Sequence, residues 1–267
     1  MRSSASTVGA AAPMCAAVAA LSSRFESAVN LATPIAKYVR RRAMGQLARW
    51  LNGGRIEIAV SGIANVPQEG PVLLVARHYH HLYDGVALYQ TLPRELHFLV
   101  TLDWAQSRWI RYCMEAVTRL AEWPVVLRPD ALTSGADGVR PQKDSVFRES
   151  DIAAYQRRAL RDAVQLLVDG KVLLIFPEGY PNIDPNYTPK KTRDEFLPFN
   201  AGFAVIAGAA AKALGRHIPI VPVGLSYVEG ERWLAQVNFG RAFYAGDFPS
   251  RKQFVTRVEQ EVQALSK

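Results

Sequence analysis

Apolar residues recur along this chain in two rhythms. Between Phe25 and Leu51 the positions Val29, Leu31, Ile35, Tyr38, Val39, Leu47, Trp50 and Leu51 interleave with Lys37, Arg40, Arg41, Arg42 and Arg49. That pattern predicts a helical hairpin or a broken amphipathic helix, with Pro34 early in it and Asn52, Gly53 and Gly54 ending it. Beyond it the rhythm shortens. Alternation over Arg55–Ser61 predicts a strand, Asn65–Gly70 a turn, and the nearly all-apolar run Pro71–Ala76 a buried strand. Further strands are expected at His97–Thr101, Val125–Leu127, Val172–Phe176, Ile218–Leu225 and Gln236–Phe239, separated by helical segments. One of these, Asp151–Asp169, carries apolar Ile152, Leu160, Val164, Leu166 and Leu167 and stops at Gly170. From Arg128 to Ile152 the sequence turns polar, with Gly135, Gly138 and Pro141, and a mobile loop is expected. Strands alternating with helices predict an α/β sheet with helices on its faces. There is no internal repeat.

Composition narrows the picture. The 267 residues are 49% hydrophobic and 21% charged, which fits a folded domain rather than a disordered chain. The net charge of +8 favours anionic partners: nucleic acid, a phospholipid surface or a phosphorylated ligand. No recognised nucleic-acid motif accompanies it, so a nucleic-acid partner is not expected. Two cysteines, Cys15 and Cys113, form neither a CxxC pair nor a disulfide framework, and a reducing compartment follows. Residues 1–23 read as an Ala/Ser-rich disordered tail, 24–52 as the amphipathic segment and 53–267 as the main domain. The tail falls short of the roughly 18 to 20 strongly apolar residues of a spanning helix, so membrane attachment is expected to be peripheral. Residues 24–52 fit two readings equally: a helix lying in an anionic interface, or one packed on the domain with its charged side in water.

The chemistry gathers where the buried strand ends. Arg77-His78-Tyr79-His80-His81-Leu82-Tyr83-Asp84-Gly85 places three histidines and an aspartate at a strand exit, where α/β sheets bind ligands. A neutral imidazole can take a proton from a hydroxyl as its oxygen attacks a carbonyl, and a carboxylate can hold the ring's tautomer and stabilise the imidazolium. Metal binding is not expected, because His80 and His81 are adjacent and diverge, and no cysteine or further acidic cluster completes a site. A second exit, Leu173-Leu174-Ile175-Phe176-Pro177-Glu178-Gly179, breaks a buried strand at Pro and Gly with a carboxylate at the break.

Together these two segments resemble the lysophospholipid or glycerol-phosphate acyltransferase family, and the resemblance runs from Ile56 to Phe243. It includes Gly70-Pro71 leading into His78, Pro124-Val125-Val126-Leu127-Arg128, Phe176 to Gly179, Leu197 to Gly202, Ile218 to Val223 and Phe239-Gly240. The resemblance implies a mixed, mostly parallel sheet flanked by helices. It also implies direct transfer of a fatty acyl group from acyl-CoA or acyl carrier protein to a hydroxyl of a lysophospholipid-like acceptor, without metal or prosthetic group. Phospholipid biosynthesis at the cytoplasmic face of a membrane follows from it. The implied catalytic residues are Asp84 with His78 or His80, and the implied substrate-binding residues are Arg128, Glu178 and Gly179.

Two departures stand out. Five residues separate His78 from Asp84 and three separate His80 from it, where the family usually has four. Counting from Gly70-Pro71 favours His78 with a one-residue bulge, while the i, i+4 spacing keeps His80 a rival. After Gly179 the family's Thr and Arg, which help hold the acceptor's phosphate, are replaced by Tyr180-Pro181-Asn182. The anion-binding role would pass to Arg128, Lys190, Lys191 or Arg193, or the acceptor would lack a phosphate; the three loop cations equally fit a solvated surface. The altered motifs also fit a catalytically silent lipid-binding or membrane-tethering protein of the same fold.

Overall fold

Val72–Ala76 (β2) is the strand that organises the molecule, and all five of its side chains are buried. Apolar residues at every position demand cover on both faces, and only the middle of a sheet provides it. The structure, a computed structural model, describes residues 34–134, 141–185 and 187–267. In chain order its elements are α1 (Pro34–Asn52), β1 (Ile56–Ser61), β2, α2 (Tyr83–Thr91), β3 (Leu96–Phe98), β4 (Val100–Thr101), α3 (Arg108–Leu120), β5 (Val125–Val126) and α4 (Pro129–Leu132). There follow α5 (Glu149–Val168), β6 (Val172–Ile175), α6 (Gly202–Leu214), β7 (Ile220–Val228), β8 (Trp233–Phe239) and α7 (Arg251–Leu265).

Six strands make one sheet in the order β1-β8-β7-β2-β6-β3, with β4 and β5 forming a separate parallel pair. Within the large sheet only β7 and β8 run antiparallel. The period-two alternation of β2 divides the core. Leu74 and Ala76 face a cluster with Val86 and Leu88 of α2, while Leu73 and Val75 face Leu167 of α5, Phe203 of α6 and Phe254 of α7. Truncating a fully buried leucine such as Leu73 or Leu74 to alanine costs about 2–5 kcal/mol in cores of this kind.

Two expectations change. The strand expected over His97–Thr101 is two strands: Leu99 N–H still reaches Leu174 O on β6, but Val100 N–H turns to Pro124 O and starts the small sheet. The segment expected as a loop from Arg128 to Ile152 contains α4 and the beginning of α5. Its apolar residues Leu132 and Phe147 pack with Leu102 and Leu127 into a third cluster, and that burial overrides the polar composition around them; residues 135–140 lie outside the description. The amphipathic segment is a single helix over its described part, α1, with 24–33 outside the described residues, as is the tail 1–23. Ala48 is buried, and its carbonyl accepts a hydrogen bond from Gln90 of α2, so this end of α1 packs on the domain. Among the described residues no helix is long and apolar enough to cross a membrane.

Candidate active site

Strand register brings the two exits together. Val72 pairs with Val172 and Val75 with Ile175, and this offset of one hundred carries past the strand ends to His78 and Glu178. His78 N–H donates to Glu178 Oε1 at 2.9 Å, and Leu197 N–H donates to the other oxygen at 3.0 Å. The turn into Glu178 closes at Gly179, whose φ of +77° lies in the left-handed region that a side chain disfavours.

Beyond β2 the chain stays extended. Ile183 N–H donates to Tyr79 O and His81 N–H to Ile183 O, forming an isolated parallel bridge at His80. The extra residue between His78 and Asp84 is taken up in this bridge, before α2 begins. Asp84, in the first turn of that helix and wholly buried, then reaches back. Its Oδ2 accepts from the backbone N–H of Tyr79 at 2.6 Å and of His80 at 3.0 Å, and lies 2.9 Å from His78 Nδ1. Its Oδ1 accepts from the hydroxyl of Tyr227 on β7 at 2.7 Å. With donors converging on both of its oxygens, the carboxylate is fixed in orientation. The imidazole Nδ1–H that faces it leaves Nε2 as the basic nitrogen. The His78 ring stacks on Phe176, centroids 4.2 Å apart and 13° from parallel, which restrains its χ2 rotation.

His80 has a different task. Its Nδ1 accepts from Leu82 N–H at 3.2 Å and Tyr83 N–H at 3.3 Å, so the ring caps the first turn of α2 in its neutral form. Burial, with His81 beside it, pulls the imidazole down to about 4. His80 meets Asp84 through its backbone N–H and C=O and not through its ring; of the two candidate bases, the side chain that meets the aspartate is His78.

Three of the four cations expected to bind an anion, Arg128, Lys190 and Arg193, are engaged within the protein. Lys190 is buried, not solvated. Its ammonium is 2.6 Å from Glu178 Oε2 and donates to His78 O at 2.9 Å and Asn182 Oδ1 at 3.0 Å. Burial lowers its proton affinity, opposed by Glu178. Glu178 and Lys190 thus grip the two sides of the His78 peptide, one accepting its N–H and the other donating to its C=O. Arg128 bonds Asp103 Oδ2 through Nε at 3.0 Å and Nη2 at 2.6 Å, and Gly179 O through Nη1 at 2.7 Å. Its guanidinium lies 3.9 Å from the centroid of the Tyr180 ring, whose hydroxyl donates to Asp130. Lys191 is exposed, and Arg193 pairs with Glu229 at the surface.

His78 opens onto a cavity of about 1440 Å³ whose walls are mostly apolar. Tyr89, Phe98, Val117, Trp123 and Phe176 line it, with Arg128, Glu178 and Gly179 at its polar part. Of the residues singled out in the sequence, His78, Arg128, Glu178 and Gly179 line this one cavity and Asp84 bonds His78 behind it; Tyr227 and Asp103 were not singled out, and Lys190, left open between an anion-binding and a solvated position, is in a buried ion pair. Tyr227 lies on a strand far from either motif and carries no local signal; Lys190 sits among Pro189, Lys191 and Thr192, a polar context that hides its burial.

Comparison with known proteins agrees with this geometry. None of the curated proteins compared with the chain matches it. Among solved structures, the 1-acyl-sn-glycerophosphate (LPA) acyltransferase PlsC from Thermotoga maritima superposes with a TM-score of 0.52 at 16% identity, covering 88% of this chain and 83% of that one. That likeness speaks for the fold. The family described as Acyltransferase matches residues 57–226, which contain both strand exits and all of the His78–Asp84 segment. The chain belongs to the Acyltransferase family, and it is an enzyme of acyl transfer.

Proposed function

We propose that the enzyme transfers a fatty acyl group from the thioester of acyl-CoA or acyl carrier protein to a hydroxyl of a lysophospholipid-like acceptor, with His78 as general base. The observation that carries this reading is the His78–Asp84 pair standing at the wall of a large apolar cavity. An alkyl chain gains roughly 0.8 kcal/mol for each methylene removed from water, so such walls favour a long acyl chain. The acceptor hydroxyl gives its proton to His78 Nε2 as its oxygen adds to the thioester carbonyl. The tetrahedral intermediate then expels the thiolate, which takes the proton back from the imidazolium. Asp84 holds the tautomer and stabilises the imidazolium throughout. No acyl-enzyme forms and no metal takes part.

The name of the Thermotoga maritima protein supports a glycerophospholipid acceptor and hence a place in phospholipid biosynthesis. Exposed Arg49 and Trp50 on α1 support peripheral attachment to an anionic membrane, which this reading assigns to the cytoplasmic face. Thiol release from an acyl thioester in the presence of a panel of lysolipids tests the reading. Acceptor-dependent release that His78→Ala abolishes is expected; if no acceptor supports release, the silent lipid-binding alternative takes its place.

A further inference from the structure

The hydrogen-bond chain at the base does not end at Asp84. Tyr227 sits on β7, a neighbour of β2 in the sheet, and its hydroxyl donates to Asp84 Oδ1 at 2.7 Å, on the carboxylate oxygen opposite the one that faces His78. The phenol is tightly held. It stacks on Tyr79 with centroids 4.9 Å apart and meets Trp233 edge-on at 6.0 Å. Three donors converge on Oδ2, two of them backbone N–H groups that cannot be removed by evolution or mutagenesis of a side chain. Oδ1 has Tyr227 as its side-chain donor.

Two consequences follow from that geometry. A donor on Oδ1 fixes the rotation of the carboxylate about its Cβ–Cγ bond, and through Oδ2 it fixes the plane of the His78 ring. It also draws electron density from the carboxylate, which then stabilises a proton on His78 less than a bare carboxylate would. We infer that Tyr227 is a positioning residue for acyl transfer: its hydroxyl aims Asp84 and, through Asp84, sets the orientation and basicity of His78. The inference rests on His78 being the base. Burial, with Asp84 beside it, raises the Tyr227 hydroxyl well above its ordinary value, so it remains a donor across the working pH range.

Other ionisable groups face the same pair. Arg77, Tyr79 and His80 come from its own segment, Tyr83 from α2, Glu178 from the turn after β6 and Lys190 from the loop that follows, whose Asp184 faces His80. Substituting Tyr227 by phenylalanine removes one oxygen and leaves all of them in place.

The decisive measurement is the titration of the His78 ring by nitrogen-labelled histidine NMR in wild type and Y227F, because it needs no turnover. His78 is expected to titrate at higher pH in Y227F. In parallel, the acid limb of the kcat/KM profile should move to higher pH and kcat should fall by about tenfold, the effect of one lost hydrogen bond to a charged group, with acceptor and donor KM unchanged. Incorporation of 3-fluorotyrosine at position 227, a stronger donor of nearly the same size, should move both profiles the opposite way. It serves as the test should Y227F fail to fold. If the His78 titration is the same in wild type and both variants, Tyr227 is only a packing residue and the inference is overturned. If wild type shows no acyl transfer but the titrations shift, the proposed reaction falls while the coupling of Tyr227 to His78 stands.

Discussion

His78 Nδ1 lies 2.9 Å from Asp84 Oδ2 although five residues separate them, one more than the family's usual spacing. Between them the chain bridges to Ile183 at His80 and then turns through His81 and Leu82 into α2, which carries Asp84 back to the ring. His78→Ala and Asp84→Ala should each lower kcat by about a hundred- to ten-thousand-fold, the usual cost of losing a positioned base. The double variant should be little worse than either, because the two act as one unit. Initial-rate measurements on the four proteins check this, and near-normal kcat in His78→Ala would sink the assignment.

His80→Asn should keep most of the activity and change stability with pH instead. The wild-type ring must stay neutral to cap α2, and its imidazole is held down at about 4 against an ordinary 6.5. The folded pKa is depressed, so the unfolded chain binds the proton first. The contribution is therefore present above about 6.5 and is lost as pH falls through that value toward 4. Thermal melts at pH 7 and pH 5 should show wild type losing more stability on acidification than His80→Asn. Equal losses would mean that His80 has no such role.

Lys190 and Glu178 are both buried, and removing one partner leaves the other's charge without compensation. Lys190→Ala should destabilise the fold by about 3–5 kcal/mol, whereas Lys190→Met combined with Glu178→Gln, which removes both charges, should recover part of that loss. Denaturant titration of the single and double variants measures it. A Lys190→Ala melt equal to wild type would show that the pair is not buried in solution.

Removing residues 1–52 would confuse membrane attachment with catalysis, because Met44, Ala48 and Leu51 line the cavity. Changing only the outward face avoids this. Arg49→Glu with Trp50→Ala should weaken cosedimentation with anionic vesicles and reduce its salt sensitivity, while activity on soluble substrates stays within about twofold, since surface changes away from buried features perturb the fold little. Unchanged sedimentation would mean that α1 is not the attachment point.

Much of this protein could be read from its sequence, and for a definite physical reason. Continuous apolar runs such as Val72–Ala76 and Val172–Ile175 state that a strand is covered on both faces, and Gly179 marks a turn; these are properties of neighbouring residues, so they are written locally. The same locality made His78, Asp84 and Glu178 visible at strand ends. Partnership is not local. That Glu178 and Lys190 grip the His78 peptide depends on β2 lying beside β6 in a register offset by one hundred residues. That Tyr227 reaches Asp84 depends on β7 lying on the other side of β2. The choice between His78 and His80 needed the path of the loop between β2 and α2, since spacing alone allows either ring to face the carboxylate. The sequence by itself determined which segments are buried and which side chains can do chemistry. Only the tertiary structure decided which of them meet, because strand order and register are set by packing summed over the whole sheet rather than by any single stretch of chain.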